Sequence, residues 1–257
     1  MSRNKWCILA LCALPVMAGC GGGEKEASSE APASDASAAA AVDTANAGGV
    51  NGAITYAGAD TDTPIAMNAD PVCAGLHPTP VDTNEIAVKD GKLANVFVYV
   101  KSGLEGKSFP APTEKREIDQ VGCLYTPRVQ GMQTGQTLAV KNTDATLHNV
   151  HALPTANQEF NQAQPQGLPP IEKVFDKPEV MVHVKCDVHP WMTAWVGVLP
   201  HPYYAVSGDD GSFSIDKLPP GKYTLEAWHE KLGTQTQEVT IAPNQTATVT
   251  FDFKPKA

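Results

Sequence analysis

The sequence predicts an all-β protein built from sandwich-type sheets. After residue 48 the chain is a series of short apolar runs rich in Val, Ile, Thr, Tyr and Phe, such as "NVFVYVK" and "ATVTFDF". The 21 Pro and 21 Gly residues supply turns between such runs, a pattern typical of sandwich proteins. No segment in this part shows the sustained 3.6-residue apolar period of a helix, which a parallel α/β fold would need between its strands.

The N-terminal segment resembles the signal of a bacterial lipoprotein. Two cations precede an apolar run that is too short to span a bilayer, and the small pair Ala-Gly stands directly before Cys20. Met17 occupies a position where that pattern usually has Leu, so an ordinary cleaved signal with an incidental cysteine is the alternative. We therefore expect residues 1–19 to be a signal peptide and Cys20 to carry a lipid.

Residues 20–48 have the composition of a flexible acidic tether. They contain mostly Ala, Ser, Gly and acidic residues, and no aromatic residue. Such a segment cannot bury enough apolar surface to offset its ordering entropy. A lipidated cysteine followed by a tether implies an extracytoplasmic protein, anchored at the periplasmic face of a membrane in a bacterial cell envelope.

The net charge restricts the classes of partner. The formal charge of the chain is −9, and the part after the tether remains acidic. An acidic surface disfavours nucleic acid and anionic lipid, and it is compatible with a basic protein partner. We expect no nucleic-acid binding, and contact with a membrane through the lipid alone.

Three cysteines lie beyond the signal and Cys20, namely Cys73, Cys123 and Cys186. An odd number of thiols in an exported protein requires an explanation. A disulfide between Cys73 and Cys123, with Cys186 left for a metal, accounts for the count.

The strand pattern before Cys186 places this cysteine in the core. In "EVMVHVKC" the residues Val180, Val182, Val184 and Cys186 share one strand face, whereas His183 lies on the other. We expect the valine row to face the core and His183 to lie at the surface.

The stretch "KCDVHPWM", residues 185–192, places three soft or borderline metal ligands three residues apart: Cys186, His189 and Met192. A thiolate, an imidazole and a thioether suit copper, and a blue-copper site needs a second histidine. The stretch "NTDATLHNVHAL" offers His148 and His151. Zinc is the alternative metal, since thiolate and imidazole suit it too, although its usual sites do not use Met.

The segment "CLYTPRVQGMQTGQTLAVKNTDATLHNV" followed by "VHVKCDVHPWMTAWVGV" resembles a cupredoxin, over roughly residues 113–200. The Cys-x₂-His-x₂-Met spacing is similar to amicyanin, whereas plastocyanins have a longer gap. The resemblance implies one type 1 copper, and a further residue that ties the first-ligand strand to the cysteine loop. The implied ligands are His148, Cys186, His189 and Met192, and the implied tying residue is Asn149.

His151 remains an alternative ligand, although it is three residues from His148 and so points to the opposite face of a strand. Residues 152–178 are polar and irregular and depart from the family pattern, so the loops near the site are expected to differ.

The neighbours of Cys186 favour an electron carrier over an enzyme. They are Lys185 and Asp187, without the adjacent His that connects type 1 copper to a catalytic copper in multicopper oxidases and copper nitrite reductases. We expect a non-enzymatic protein that carries single electrons between redox partners, such as a c-type cytochrome or a periplasmic dehydrogenase. A copper storage or delivery protein, and an envelope binding protein whose sandwich recognises glycan or protein, are the alternatives.

The resemblance also implies where the electron leaves. In cupredoxins the edge of the histidine in the cysteine loop reaches the surface through an apolar patch. Here the corresponding exit patch would be formed by His189, Pro190 and Trp191.

A second resemblance concerns the C-terminal part. Residues 208–253 resemble a carboxypeptidase regulatory-like domain, a small transthyretin-like β-sandwich, by the turn "DDGSF" and the run "LPPGKYTL". The opening strands of that family do not precede residue 208 but appear at "GGVNGAITYAG" and "ANVFVYVKSG". We therefore expect a cupredoxin domain, 113–200, inserted between early strands in 49–112 and late strands in 201–257. One enlarged sandwich with extra strands is the alternative.

Overall fold

The computed structural model describes Val42 and residues 44–255. The predicted signal peptide, Cys20 and the tether up to residue 41 lie outside these residues, so the lipoprotein prediction stays a prediction. The first strand begins at Gly48, the last residue assigned to the tether. Within the described part of the chain, no helix has the length and apolar character that crossing a membrane requires.

Strands dominate the described residues, which contain a single helix, α1 (Pro71–Leu76), of six residues. In chain order the strands are β1 (Gly48–Tyr56), β2 (Val88–Lys89), β3 (Lys92–Leu93), β4 (Phe97–Ser102), β5 (Arg116–Val121), β6 (Leu124–Thr126), β7 (Val129–Gln133), β8 (Thr137–Asn142), β9 (His148–Leu153), β10 (Phe160–Gln164), β11 (Ile171–Val174), β12 (Glu179–Lys185), β13 (Thr193–Leu199), β14 (Tyr204–Val206), β15 (Ser212–Leu218), β16 (Gly221–His229), β17 (Gly233–Ile241) and β18 (Thr246–Phe253). The all-β prediction is confirmed.

An outer sandwich combines strands from both ends of the described chain. One of its sheets has the order β15-β1-β3-β2, with β18 also pairing with β1, and the other has the order β14-β4-β16-β17. β1 runs antiparallel to β15 and parallel to β18, and β4 runs antiparallel to both β14 and β16. Ile54, Leu225 and Phe251 are fully buried in the core between the two sheets. Early and late segments therefore build one sandwich, as an inserted domain requires.

An inner sandwich is formed by the strands between β4 and β14. Its sheets have the orders β10-β9-β12-β13-β7 and β11-β8-β5-β6. Ile118, Leu138 and Val182 are buried between them, in a core that is separate from the outer one and that also contains Cys186 and Met192. The two separate cores argue against one enlarged sandwich, while the domain boundaries themselves stay a prediction.

The two sandwiches pack face to face through β4 of the outer one and β7 and β13 of the inner one. Phe97 is fully buried in this contact, and a Cβ atom added at Gly131 or Gly197 would lie 2.8 Å or less from its ring. Glycine at these two positions is what allows the neighbouring sheets to approach so closely. The result is a stack of four sheets.

Two expectations for β12 are wrong. A register shift between Glu179 and Val182 breaks the alternation, so Val180 is exposed instead of continuing the core-facing row. His183 is half-buried and stacks on Trp195, with ring centroids 4.4 Å apart, because the neighbouring outer sandwich covers that face of the strand.

The segment between β1 and β4 carries β2, β3 and α1 and reaches the inner sandwich. Cys73 of α1 and Cys123, between β5 and β6, form the disulfide that the cysteine count predicts. Both are fully buried in a small cluster with Met67, against which Trp191 packs. This cross-link fixes α1 beside the loop that follows Cys186.

Candidate metal centre

Strand pairing brings Cys186 and His148 together. β9 and β12 are antiparallel neighbours, with Lys185 opposite His151, so the start of β9 meets the end of β12. The next residues form a tight loop, in which the N–H of Met192 donates to the carbonyl of His189 (2.9 Å) and the N–H of Cys186 donates to the carbonyl of Met192 (3.3 Å). This loop turns His189 and Met192 back toward the cysteine.

The predicted ligands converge in the interior. The Nδ1 atoms of His148 and His189 are 2.8 Å apart, and Nδ1 of His189 lies 3.9 Å from Sγ of Cys186. One ligand atom from each of these three residues falls within 4.8 Å of the others. His148 and Met192 are 0 % exposed, Cys186 is 1 % exposed and His189 is 2 % exposed. A buried set of two imidazoles, one thiol and one thioether resembles a type 1 copper site.

The surroundings of Cys186 favour the thiolate that binds metals. Burial raises the pKa of its thiol, but hydrogen bonds from His148 and from the backbone N–H groups of Asn149, His189 and Val188 lower it, and the net result is a pKa below the usual value. A thiol with a lowered pKa is a better metal ligand. The donor set therefore fits copper in composition, and the backbone N–H groups around Sγ of Cys186 favour its thiolate form.

Asn149 joins the two ligand segments, as the cupredoxin resemblance implies. Its Oδ1 accepts from the N–H of Asp187 (2.6 Å), and its own N–H donates to Sγ of Cys186 (3.5 Å). The hydroxyl of Tyr125 donates to the carbonyl of Asn149 (2.5 Å) and lies 3.1 Å from the carbonyl oxygen of Lys185, so it adds a second link between β9 and β12.

His151 lies outside the cluster. Its Nδ1 is 3.0 Å from Oδ2 of Asp187, and its Nε2 is 2.9 Å from Oε1 of Glu159. Since it faces away from Cys186, the structure offers no support for His151 as a ligand.

Two aspartates outside the predicted set of site residues contact the far nitrogens of the imidazoles. Nε2 of His148 is 2.9 Å from Oδ2 of Asp144, and Nε2 of His189 is 3.0 Å from Oδ2 of Asp70. The i,i+4 spacing of Asp144 and His148 is the only local signal for the first pair. Asp70 comes from the outer sandwich segment, 119 residues from His189, and the predicted disulfide at Cys73 was the only indication that this segment approaches the site.

The expected exit patch is wrong with respect to His189. Its ring edge does not reach the surface, because Asp70 and α1 cover it and Trp191 packs beside it with ring centroids 5.1 Å apart. Trp191 is half-buried and donates from Nε1 to the carbonyl of Cys123 (3.0 Å), whereas Pro190 is exposed.

Comparison with known families identifies the C-terminal part. Residues 194–254 match the model of the carboxypeptidase regulatory-like domain. The match begins in β13, seven residues before the predicted boundary at 201, and runs past the end of β18. It includes β14 to β18, the late strands that pair with β1 and β4 or with one another in the outer sandwich. No curated protein sequence matches the chain.

Several solved structures show a local likeness to this chain. A purple cupredoxin from Nitrosopumilus maritimus matches with 22 % identity and a TM-score of 0.29, over 33 % of this chain and 99 % of that one. A reduced amicyanin variant matches with 17 % identity and a TM-score of 0.30, over 39 % and 97 % of the two chains. A copper-containing nitrite reductase from Thermus scotoductus matches with 18 % identity and a TM-score of 0.31, over 38 % and 24 %.

Proposed function

We propose that this protein is an electron carrier with one type 1 copper, which passes single electrons between redox proteins. The observation that carries the proposal is the buried convergence of Nδ1 of His148, Nδ1 of His189 and Sγ of Cys186, with Met192 in the same core. A copper ion held there would supply one-electron redox chemistry.

The burial of the ligand set favours a carrier over an enzyme. None of the four ligands is more than 2 % exposed, and both imidazoles are enclosed by aspartates on their far side. A substrate has no direct access to a metal in this position, whereas an electron can tunnel through the surrounding protein. The protein's own groups hold the ligands in one arrangement and keep water out.

We place the docking surface for redox partners next to the ligand loops. Leu147 and Val188 each immediately precede a histidine ligand and are 44 % and 47 % exposed, and Pro190 is exposed as well. A small apolar patch fits a weak, rapidly exchanging electron-transfer encounter. The acidic chain would steer a basic partner, such as a c-type cytochrome, and the association rate should fall with added salt.

The proposed location is the extracytoplasmic side of a bacterial membrane. The signal-like N-terminus and Cys20 support a lipid anchor, and the Cys73–Cys123 disulfide suits an oxidising compartment. The tether would set how far the folded part reaches from the membrane. No nucleic acid is involved in this proposal.

The absorption spectrum tests the proposed function. The copper-loaded protein should absorb intensely near ~600 nm, because thiolate-to-copper charge transfer is expected from this ligand set. Cys186→Ser should abolish the band, and Val188→Ser, an exposed position in the same loop, should keep it. A wild-type protein that binds copper but stays colourless would refute the electron-carrier proposal.

A further inference from the structure

The carboxylate of Asp144 is held in one orientation beside His148. Its Oδ1 accepts from the N–H of Gly122 (2.7 Å), and its Oδ2 accepts from the N–H of Cys123 (2.7 Å). The same Oδ2 lies 2.9 Å from Nε2 of His148. The side chain is buried, so these contacts are sheltered from water. A carboxylate fixed in this way leaves His148 little freedom to rotate.

The carboxylate of Asp70 is held in the same manner beside His189. Its Oδ1 accepts from the N–H groups of Val72 (2.7 Å) and Cys73 (3.2 Å), which makes Asp70 the N-cap of α1. Its Oδ2 accepts from Oγ1 of Thr146 (2.9 Å) and lies 3.0 Å from Nε2 of His189. Asp70 thus connects the outer sandwich segment with both ligand loops.

The two aspartates share a further feature. Each accepts the backbone N–H of one half of the Cys73–Cys123 disulfide, so the disulfide joins the two segments that hold the imidazoles. We propose that Asp70 and Asp144 are positioning residues for the metal. Each holds one histidine ligand by its Nε2–H, and the disulfide fixes the two aspartates relative to each other. This inference rests on the proposed copper site and extends it to residues outside the ligand set.

The physical basis is the tautomer and basicity of the imidazoles. An Nε2–H that donates to a carboxylate leaves the lone pair on Nδ1, the atom that faces Cys186 in both histidines. The negative charge also makes each imidazole a stronger donor, which favours the more highly charged metal ion. Copper(II) is therefore stabilised more than copper(I), and the two aspartates should lower the reduction potential.

The test uses Asp70→Asn and Asp144→Asn in the full chain. Asparagine is a good N-cap residue, so Asp70→Asn keeps an acceptor for the first turn of α1 while it removes the charge. We expect the dissociation constant for zinc(II), measured by chelator competition, to rise roughly 10- to 100-fold in each variant. In the copper protein the potential should rise by about 59 mV for every tenfold loss of copper(II) affinity that copper(I) does not share.

A matched control separates the effect of losing the aspartate–histidine contact from the effect of losing one negative charge. Asp176 is exposed and makes no hydrogen bond or ion pair with the described residues, so Asp176→Asn removes the same charge without touching a ligand. This variant should leave zinc affinity and potential unchanged. Effects of equal size in all three variants would overturn the proposal, because they would reflect net charge alone.

A second readout is specific to each histidine. In the zinc-loaded protein, nuclear magnetic resonance should show two slowly exchanging imidazole Nε2–H protons. Asp70→Asn should remove protection from that of His189 only, and Asp144→Asn from that of His148 only. Circular dichroism and retention of the disulfide show whether each variant is folded. If Asp144→Asn does not fold, Asp70→Asn alone decides the proposal.

The outcomes distinguish this inference from the proposed function. Folded variants with wild-type zinc affinity, potential and Nε2–H protection would overturn the positioning role, whatever the colour of the copper protein. A colourless wild-type copper protein whose variants still bind zinc more weakly would overturn the electron-carrier proposal and leave the positioning role intact. A wild-type protein that binds neither metal would overturn both.

Discussion

The inner and outer sandwiches use the same architecture for different purposes. Both pack two sheets around one core, and the outer core is built from aliphatic and aromatic side chains. The inner core instead carries Cys186 and Met192 at one end, beside two buried histidines. Among the described residues, the outer sandwich adds to the metal site through the segment between β1 and β4, whose Asp70 contacts His189. This difference indicates that the outer core supplies stability, while the inner one gives up part of its apolar packing to hold a polar cluster.

The largest expected effect comes from a cavity in the outer core, which tests whether this core contributes stability without shaping the metal site. Phe251→Ala removes a ring that is fully buried there, and we expect it to lower the free energy of unfolding by about 3–5 kcal/mol. Denaturant titration of the metal-free protein measures the loss, and Thr250→Ala, an exposed neighbour on β18, should cost below about 0.5 kcal/mol. At temperatures where the variant is folded, its copper spectrum should equal that of the wild type. An altered spectrum would show that the outer core also shapes the site.

Removal of the cross-link between the two regions should have the next largest effect. The double variant Cys73→Ser, Cys123→Ser should lose about 2–5 kcal/mol, since the disulfide restricts the unfolded chain over a separation of 50 residues. Thiol counting on unfolded, metal-free wild type should find one thiol, that of Cys186, when Cys20 is blocked. Three thiols would contradict the pairing, and a reductant that fails to destabilise the wild type would contradict its contribution.

Acid should lower the free energy of unfolding through His201, which lies in the connection between β13 of the inner sandwich and β14 of the outer one. Nε2–H of His201 donates to the carbonyl of Val100 (2.9 Å) and Nδ1 accepts from the N–H of Tyr203 (3.3 Å), so the neutral ring is satisfied. Burial lowers the pKa of His201 from 6.5 to about 4. The unfolded chain therefore binds more protons than the folded one between these values, and stability falls as the pH drops through that window, by roughly 3 kcal/mol at most.

The measurement for His201 is a urea titration of metal-free protein at pH 7 and at pH 4.5. His201→Gln keeps a donor for Val100 but does not titrate, so its free energy of unfolding should depend less steeply on pH than that of the wild type. Equal slopes for the two proteins would show that His201 does not contribute.

The smallest expected effect concerns electron exit. Trp191 packs beside His189 and against the disulfide cluster, and Trp191→Ala should slow transfer to a basic cytochrome while it keeps the copper band. We expect a change of no more than about tenfold, which corresponds to 1.4 kcal/mol in docking. Leu168→Ala, an exposed apolar residue elsewhere on the inner sandwich, is the control. Stopped-flow rates equal to wild type with every cytochrome tried would exclude Trp191 from the route.

The parts of this structure that the sequence predicts depend on short-range patterns. Strand alternation gives the fold class, and the spacing of Cys186, His189 and Met192 gives a loop that folds back on itself. The bulge that exposes Val180 cannot be predicted from the sequence, because the apolar alternation of a strand assumes an unbroken ladder of hydrogen bonds with its neighbour. The contact of Asp70 with His189 is equally invisible, because before Pro71 an aspartate looks like an ordinary N-cap.

The insertion also affects how the inner sandwich unfolds. β4 and β14 are hydrogen-bonded neighbours, with Tyr99 opposite Tyr204, and all of the inner sandwich lies between these two positions in the chain. If the inner sandwich opens while the outer one stays folded, its chain remains a closed loop with both ends held side by side. In the chain-entropy model, closing a loop of about 100 residues is worth about 4.7 kcal/mol. The outer sandwich thus acts as a non-covalent cross-link between the two ends of the inner one. This cross-link limits the conformational entropy that the proposed copper-binding region can gain by unfolding.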